Sequence, residues 1–255
     1  IQRYSRRTAD MVRKMLTERV VGTNLEGAGD SLFQISDELI KNAVKSNYKF
    51  LLLWEATRER LRHVHPEFSE KEAEDWLGEV FFSGESVLIE RQLAHLDNRD
   101  SLTTRVRKIL DIENELARRG IEADSLIRPE LADRDAGEFH RLRALALRLN
   151  VHVQFRVETS PDELLITVAN DAPVLQEDVT RIHNLRTRFR EYYDQGRQSD
   201  FFVENLDMAG GGHGLGYAVM DAILLDLGVN PDQGLFLISA SRTMVLVALP
   251  LSEKK

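Results

Sequence analysis

The hydrophobic pattern changes its period at Val151, and this change limits the fold of the chain more than any other sequence feature. Apolar and polar residues alternate over residues 151–157, which predicts a strand with one buried face. Further short apolar runs predict strands at residues 164–169, 235–240 and 244–249. A turn-forming cluster at Ser160 separates the first two strands, so we expect them to form an antiparallel hairpin.

The part of the chain before these strands has helical periodicity. Residues 3–21 form an amphipathic pattern that fits a core helix, a dimerisation helix or a lever helix. Ser31 followed by Gln34 is a capping-box pattern, and it predicts the start of a helix that contains residues 37–47. Further amphipathic patterns predict a helical insertion at about residues 62–148. Together the elements predict an α+β protein, a two-layer α/β sandwich in which helices cover one face of a mostly antiparallel sheet.

Three polar side chains share one face of the helix predicted at residues 37–47. Glu38, Asn42 and Lys45 are spaced by four and three residues, which places them on one stripe of the helix. An apolar stripe runs beside them, so we expect one flank to be buried and the other to face a ligand. An acid, an amide and an ammonium group suit a magnesium nucleotide. The alternative is an ordinary solvated helix face of mixed charge.

A glycine-rich segment precedes the last predicted helix, at about residues 215–227. Gly212, Gly214 and Gly216 would let backbone N–H groups approach an anion closely, and the helix dipole favours negative charge there. The segment lacks the lysine and hydroxyl spacing of a P-loop, and it lacks the strand and acid of a dinucleotide-binding motif. It therefore predicts a phosphate-binding loop of another kind, with a flexible hinge as the alternative.

Composition argues against several classes of function. The chain has 42% hydrophobic and 30% charged residues, as globular proteins do, and its net charge of -8 argues against a general nucleic-acid binder. It has no cysteine, which rules out disulfides and thiolate chemistry and is compatible with a reducing cytoplasm. No apolar run approaches the ~20 residues of a membrane span, so we expect a cytoplasmic protein. The chain begins at Ile1 rather than at a methionine, and we expect a fragment or a processed form.

Three motifs follow one another along the chain: ELIKNAVKS on a helix, VANDAP at the end of a hairpin and GGGHGLGYAV at the start of a helix. In this order they resemble the histidine-kinase-like ATPase superfamily, whose ATP-binding domain is shared by histidine kinases, gyrase, heat-shock chaperones of the ninety-kilodalton class and mismatch-repair ATPases. The motifs look most similar to those of the histidine kinase and anti-sigma kinase branches. The resemblance covers about residues 31–47 and 151–251, and it implies a Bergerat-type ATP-binding fold.

The resemblance implies roles for the polar residues of the first motif. Asn42 would ligate the Mg²⁺ that bridges the phosphates, Glu38 would order a water or act as a base, and Lys45 would offer positive charge to phosphate. ATP and Mg²⁺ are the implied cofactors, and Glu38 is the implied catalytic residue.

The second and third motifs would complete the nucleotide site. Asp171 would accept a hydrogen bond from the exocyclic amine of adenine. The resemblance places four residues of the third motif at the phosphates: Gly212, Gly214, Leu215 and Gly216. Residues 172–211 would form a lid over the nucleotide. Four arginines of the lid fit a solvated helix face better than phosphate contacts: Arg181, Arg186, Arg188 and Arg190.

Two departures from the family pattern bear on turnover. Ala172 and Pro173 follow Asp171 where the family has a glycine-containing loop, so we expect this loop to be stiffer. None of the seven histidines is followed by an acidic residue in the manner of a phosphoacceptor motif. Phosphate transfer would therefore require a histidine on another domain or protein.

The leading hypothesis is an ATP-binding catalytic domain of a histidine-kinase-like signalling protein, formed by residues 31–255 after an N-terminal helix and linker at 1–30. It would present the γ-phosphate to a phosphoacceptor domain, as in two-component signal transduction with its response regulators. The alternatives are a nucleotide-gated interaction module with little turnover and an ATP-hydrolysing clamp of the gyrase type. The expected partners are an adenine nucleotide and a protein, with a homodimer also compatible and nucleic acid not expected.

Overall fold

The computed structural model describes residues 4–83, 99–118, 134–174, 176–205 and 215–253. The helices are α1 (Arg6–Arg19), α2 (Gly29–Val64), α3 (Glu70–Phe82), α4 (Arg99–Arg118), α5 (Arg134–Arg148), α6 (Gln176–Asp194), α7 (Gln198–Asn205), α8 (Leu215–Asp226) and α9 (Pro231–Gly234). The strands are β1 (Val153–Thr159), β2 (Glu163–Asn170), β3 (Leu235–Ser239) and β4 (Thr243–Pro250). The change from helices to the first strand therefore follows α5, close to where the sequence predicts it.

The strands form one open antiparallel sheet with the order β1-β2-β4-β3. In the first hairpin Val157 is paired with Ile166, and in the central pair Ile166 faces Val247. The β1–β2 hairpin, the antiparallel sheet and the α+β class are confirmed. Strand β4 lies between β2 and β3, so the last strand of the chain is central and joins both halves of the sheet.

Helix α2 covers one face of the sheet because both present apolar side chains to the same core. The inward-facing residues of β2 and β4 alternate with partly exposed ones along each strand. Leu32, Ile35 and Leu39 of α2 are at most 2% exposed and belong to the same core as Ile166 and Val247. Each such buried side chain contributes about 1.5–3 kcal/mol relative to an exposed one. The polar stripe of α2 is thereby held at a fixed angle to the sheet.

The helical insertion packs on the C-terminal half of α2 and shares its core. Phe81 of α3, Ile109 of α4 and Phe139 of α5 are at most 1% exposed and lie in the same cluster as the sheet residues. The buried carboxylate of Glu55 on α2 receives two hydrogen-bonding groups of Arg141, with Nε 2.8 Å from Oε1 and Nη2 3.0 Å from Oε2. The insertion is therefore continuous with the core of the domain.

A second, smaller core joins the predicted lid segment to α8. Phe189 of α6, Phe201 of α7 and Ala218 of α8 are fully buried against one another. Beside them the guanidinium of Arg186 grips the carboxylate of Asp221 with Nε–Oδ2 and Nη2–Oδ1 distances of 2.8 Å. The prediction of a solvated face is wrong for Arg186, whose side chain is only 13% exposed because this ion pair is buried.

Helix α2 begins two residues before Ser31, so the predicted capping box at its start is wrong. Its N-cap is Ala28, which has no side chain able to cap, and Leu32 N donates to Ala28 O at 2.9 Å. A Cβ at Gly29 would lie 2.8 Å from Thr17 Oγ1 of α1. Close packing against α1 therefore sets the start of α2, an effect that a local capping pattern does not report.

Candidate functional site

A cavity of about 630 Å³ lies between the polar stripe of α2 and the ends of β2 and β4. Helices α4, α6 and α8 supply the rest of the wall that the described residues form. Ligand pockets span roughly 300–1,000 Å³, so this volume suits a small molecule. Five of the predicted site residues line it: Glu38, Asn42, Lys45, Leu215 and Gly216. The structure thus brings together the first and third sequence motifs, although they are far apart along the chain.

The α2 side of the cavity carries polar groups that are not used by the fold. The side chains of Glu38, Asn42 and Lys45 are half-buried and make no hydrogen bond or ion pair with any residue that the structure describes. The buried residues of α2 hold all three toward the same space. An amide oxygen, a carboxylate and an ammonium group are therefore available to a ligand.

Two further cations of the cavity wall share one carboxylate. Asp178 of α6 accepts from Lys49 Nζ at 2.8 Å and from Arg181 Nη2 at 2.7 Å, and all three residues line the cavity. The triad ties α6 to α2 across the wall of the cavity. Arg181 therefore faces the cavity, although its sequence pattern favoured a solvated helix face.

Asn170 and Thr243 contribute buried polar groups to the cavity wall at the strand ends. Asn170 Nδ2 donates to Asn47 Oδ1 at 3.2 Å and to Ala172 O at 3.1 Å, and Thr243 Oγ1 donates to the same carbonyl at 2.6 Å. Two acceptors around Nδ2 fix the orientation of the amide, which leaves Oδ1 of Asn170 as an acceptor. A buried acceptor of this kind would recognise a donor on a planar ligand.

Asp171 lies beside the cavity, and its carboxylate is bound to other parts of the protein. Its Oδ2 accepts from the backbone N of His152 at 3.1 Å and lies 2.9 Å from His152 Nδ1. Its Oδ1 lies 3.2 Å from Arg242 Nε. The residue that lines the cavity at this strand end is its neighbour Asn170. The structure therefore does not bring Asp171 together with Glu38 and Asn42.

Helix α8 lies close to α2 at Gly216. A Cβ at this position would lie 2.7 Å from both Cγ and Cδ of Glu38, so the glycine leaves space for the carboxylate. The next residue, Tyr217, also lines the cavity, and burial raises the pKa of its hydroxyl to about 12. Arg186 opposes this rise and the charge of Glu38 adds to it. Gly212 and Gly214 lie outside the described residues.

Among the cavity residues that the sequence reasoning did not assign to the site are Asn170, Thr243 and Arg107. Asn170 precedes Asp171 in the VANDAP motif, and its position as the last inward-facing residue of β2 would have identified it. Thr243 pairs with Asn170 across the sheet, which is not visible without the register of β2 and β4. Arg107 comes from the insertion, for which the sequence motifs give no position.

Comparison of the chain with protein-family models, with curated proteins and with solved structures gave no match. The described ranges contain no helix with the length and apolar character that a bilayer crossing demands. Within the same ranges, no three histidine, cysteine or acidic side chains form a group suited to a metal ion. The function is therefore argued from the cavity and its polar groups.

Proposed function

We propose that this chain is an ATP-binding domain of the histidine-kinase-like ATPase class, with a Bergerat-type fold. The observation that carries the proposal is that Glu38, Asn42 and Lys45 face one cavity with Gly216 and have no partner within the described chain. Half-buried polar groups that converge on a cavity without protein partners keep their hydrogen-bonding capacity for a polar ligand. The first and third of the motifs that suggested a nucleotide supply this set.

The donor set fits a magnesium nucleotide. Oxygen ligands suit Mg²⁺, which is usually held by one or two protein oxygens together with water and phosphate. Asn42 Oδ1 and a carboxylate oxygen of Glu38 are oxygens of this kind, and Lys45 adds a cation for phosphate. When bound, Mg²⁺ would neutralise charge on the phosphates and so favour transfer of the terminal group. The residues of the chain would position the nucleotide and exclude water.

Asn170, rather than Asp171, would recognise the adenine base. The free Oδ1 of Asn170 is the acceptor at the cavity, and the exocyclic amine of adenine is a donor that would match it. Asp171 would then have a structural role, because its contacts with His152 and Arg242 hold the loop that follows β2. An adenine nucleotide would lie with its base toward β2 and β4 and its phosphates toward Asn42 and Lys45.

The test measures binding and the fate of the γ-phosphate together. ATP with Mg²⁺ is titrated by calorimetry against the wild type and Asn42→Ala, with Gln34→Ala as the control because it removes an exposed amide from the same helix. We expect Asn42→Ala to weaken magnesium-dependent binding by roughly tenfold or more, the loss of about 1.5–3 kcal/mol for a hydrogen bond or ligand bond to charge. A wild type that binds no adenine nucleotide would overturn the proposal.

Labelled γ-phosphate then separates the possible activities. Label transferred to a histidine of a second protein or domain supports the kinase, and free phosphate supports an ATPase in which Glu38 orders the water. Label retained in ATP supports a nucleotide-gated interaction module. Two sets of contacts favour that module. Asn170 and Thr243 hold the loop after β2 at the Ala172 carbonyl. The ion pair of Arg186 and Asp221 fixes α6 to α8. Both contacts restrain the segment that would move as a lid.

A further inference from the structure

Helix α4 of the insertion contributes to the cavity wall, and Arg107 is its charged residue there. Val106 and Leu110, one residue before and three residues after Arg107, line the same cavity. The guanidinium of Arg107 is exposed and has no ion pair or hydrogen bond within the described ranges. Arg105, two residues earlier, is instead paired with Glu138 of α5. The helix therefore presents one arginine to the cavity while another fastens it to its neighbour.

The position of Arg107 is fixed by the packing of α4 on α2. Val106 and Ile109 are 8% and 1% exposed in the main core. The hydroxyl of Tyr48 on α2 donates to Glu113 Oε2 of α4 at 3.2 Å, one turn and a half beyond Arg107. A helix restrained at both points cannot rotate Arg107 away from the cavity without breaking the core.

The charge balance of the cavity leaves Arg107 free for an anion. Lys49 and Arg181 share the single carboxylate of Asp178, and Lys45 and Arg107 are the lining cations without a partner among the described residues. They outnumber Glu38, the lining acid that is likewise unpaired. A guanidinium offers two parallel N–H groups to a phosphate, which gives orientation as well as charge. A monoanionic or neutral ligand would leave this excess of positive charge unused.

We propose that Arg107 binds the phosphate chain of the nucleotide, so that the helical insertion is part of the nucleotide site and makes affinity depend on the number of phosphates. The inference rests on the proposed function and deepens it. Because α4 is held by α2, Arg107 is in place before the ligand binds, and its contact with phosphate does not require a closing segment. Arg107 is a binding residue in this proposal, and the reacting groups stay with Glu38 and Asn42.

The experiment compares ATP, ADP and adenosine on the wild type, Arg107→Ala and Arg107→Lys by calorimetry, with Mg²⁺ present. Arg156→Ala is the control, because Arg156 is an exposed arginine on β1 outside the cavity. We expect Arg107→Ala to weaken the binding of ATP by about tenfold and the binding of ADP by less, as the loss of a charge-assisted contact predicts. The binding of adenosine should be unchanged. Arg107→Lys should fall between, since it keeps the charge without the paired N–H groups, and Arg156→Ala should match the wild type.

The outcomes separate this inference from the proposed function. Wild-type affinity for ATP in Arg107→Ala overturns the role of Arg107 and leaves the nucleotide site standing. An equal loss for ATP and adenosine also overturns it, because the residue would then act on the base or on the fold. A wild type that binds none of the three ligands overturns the proposed function and this inference with it. Circular dichroism of each variant verifies that the fold is retained.

Discussion

The polar stripe of α2 and the junction between α6 and α8 treat charge in opposite ways. At the junction, the buried side chains of Arg186 and Asp221 form an ion pair with each other. On the stripe, Glu38 and Lys45 face a cavity without partners among the described residues. Buried charges that are paired serve the fold, whereas charges left unpaired beside a cavity remain available to a ligand. The contrast predicts stability effects at the junction and binding effects on the stripe.

The largest effect is expected from Asp221→Ala. This change leaves Arg186 buried without its carboxylate, and breaking a buried pair costs about 3–5 kcal/mol of unfolding free energy. Urea denaturation at neutral pH measures it. Lys45→Ala is the matched change on the stripe, and we expect it to alter stability by less than about 0.5 kcal/mol while it weakens ATP binding. Equal losses of stability in the two variants would remove the contrast.

The next effect concerns Tyr217, which lies between the two regions. Its pKa is about 12 in the folded protein, and the ordinary value is about 10, so the unfolded chain releases this proton first as the pH rises. Stability from this group is present below pH 10 and is lost between about pH 10 and 12, to a total of about 2–3 kcal/mol.

Tyr217→Phe isolates this contribution from other groups that titrate in the same range, among them Tyr4, whose pKa burial also raises. The variant should show a shallower loss of stability above pH 10 and little change at pH 7. Parallel alkaline profiles for the variant and the wild type would show that the hydroxyl is not protected by burial.

A third prediction distinguishes the two residues at the end of β2. Asn170→Ala should weaken binding of adenosine and ATP alike by about 1–2 kcal/mol, because both present the adenine amine. Asp171→Ala should chiefly lower stability, since its carboxylate binds His152 and Arg242. Calorimetry with adenosine, together with thermal unfolding, reports the two effects separately. Stronger loss of binding in Asp171→Ala would restore Asp171 as the base-binding residue.

The smallest effect is expected from Gly216→Ala. The added methyl group must displace the flexible carboxylate of Glu38, so stability should change little while ATP affinity or turnover falls by the equivalent of about 1 kcal/mol. In the Glu38→Ala background the same change should have no further effect, because the obstructing side chain is absent. Additive losses in the double variant would mean that Gly216 and Glu38 act independently.

The sequence predicted those parts of the fold that depend on local periodicity. The strands after Val151, the hairpin and the long helix with Glu38 and Asn42 on one stripe follow from patterns of two and three to four residues. The start of α2 was not predictable in this way, because it depends on contact between Gly29 and α1. Tertiary packing overrode the local cap.

The residues assigned to the candidate site from the sequence lie on α2 and α8, and those at the strand ends and in the insertion were not assigned to the cavity. Helical spacing placed Glu38 and Asn42 on one face, the family resemblance added Gly216, and all three line one cavity in the structure. The choice between Asn170 and Asp171 depends on which side chain faces inward at the last position of β2. The contribution of Arg107 depends on how the insertion packs on α2. The alternation of β2 could have identified Asn170, whereas no local sequence pattern encodes the position of Arg107.

Helix α2 has one further consequence. It is a single unbroken helix of 36 residues, about 54 Å long, whose first half faces the cavity and whose second half carries the insertion. A small rotation of this helix would displace Asn42 and Glu55 together. A movement of α2 at the cavity would therefore also move the part of the helix that binds the insertion. If the proposed nucleotide and a protein at the far end of α2 were coupled in this way, each would change the affinity of the other by the same factor, because coupling of binding free energies is reciprocal.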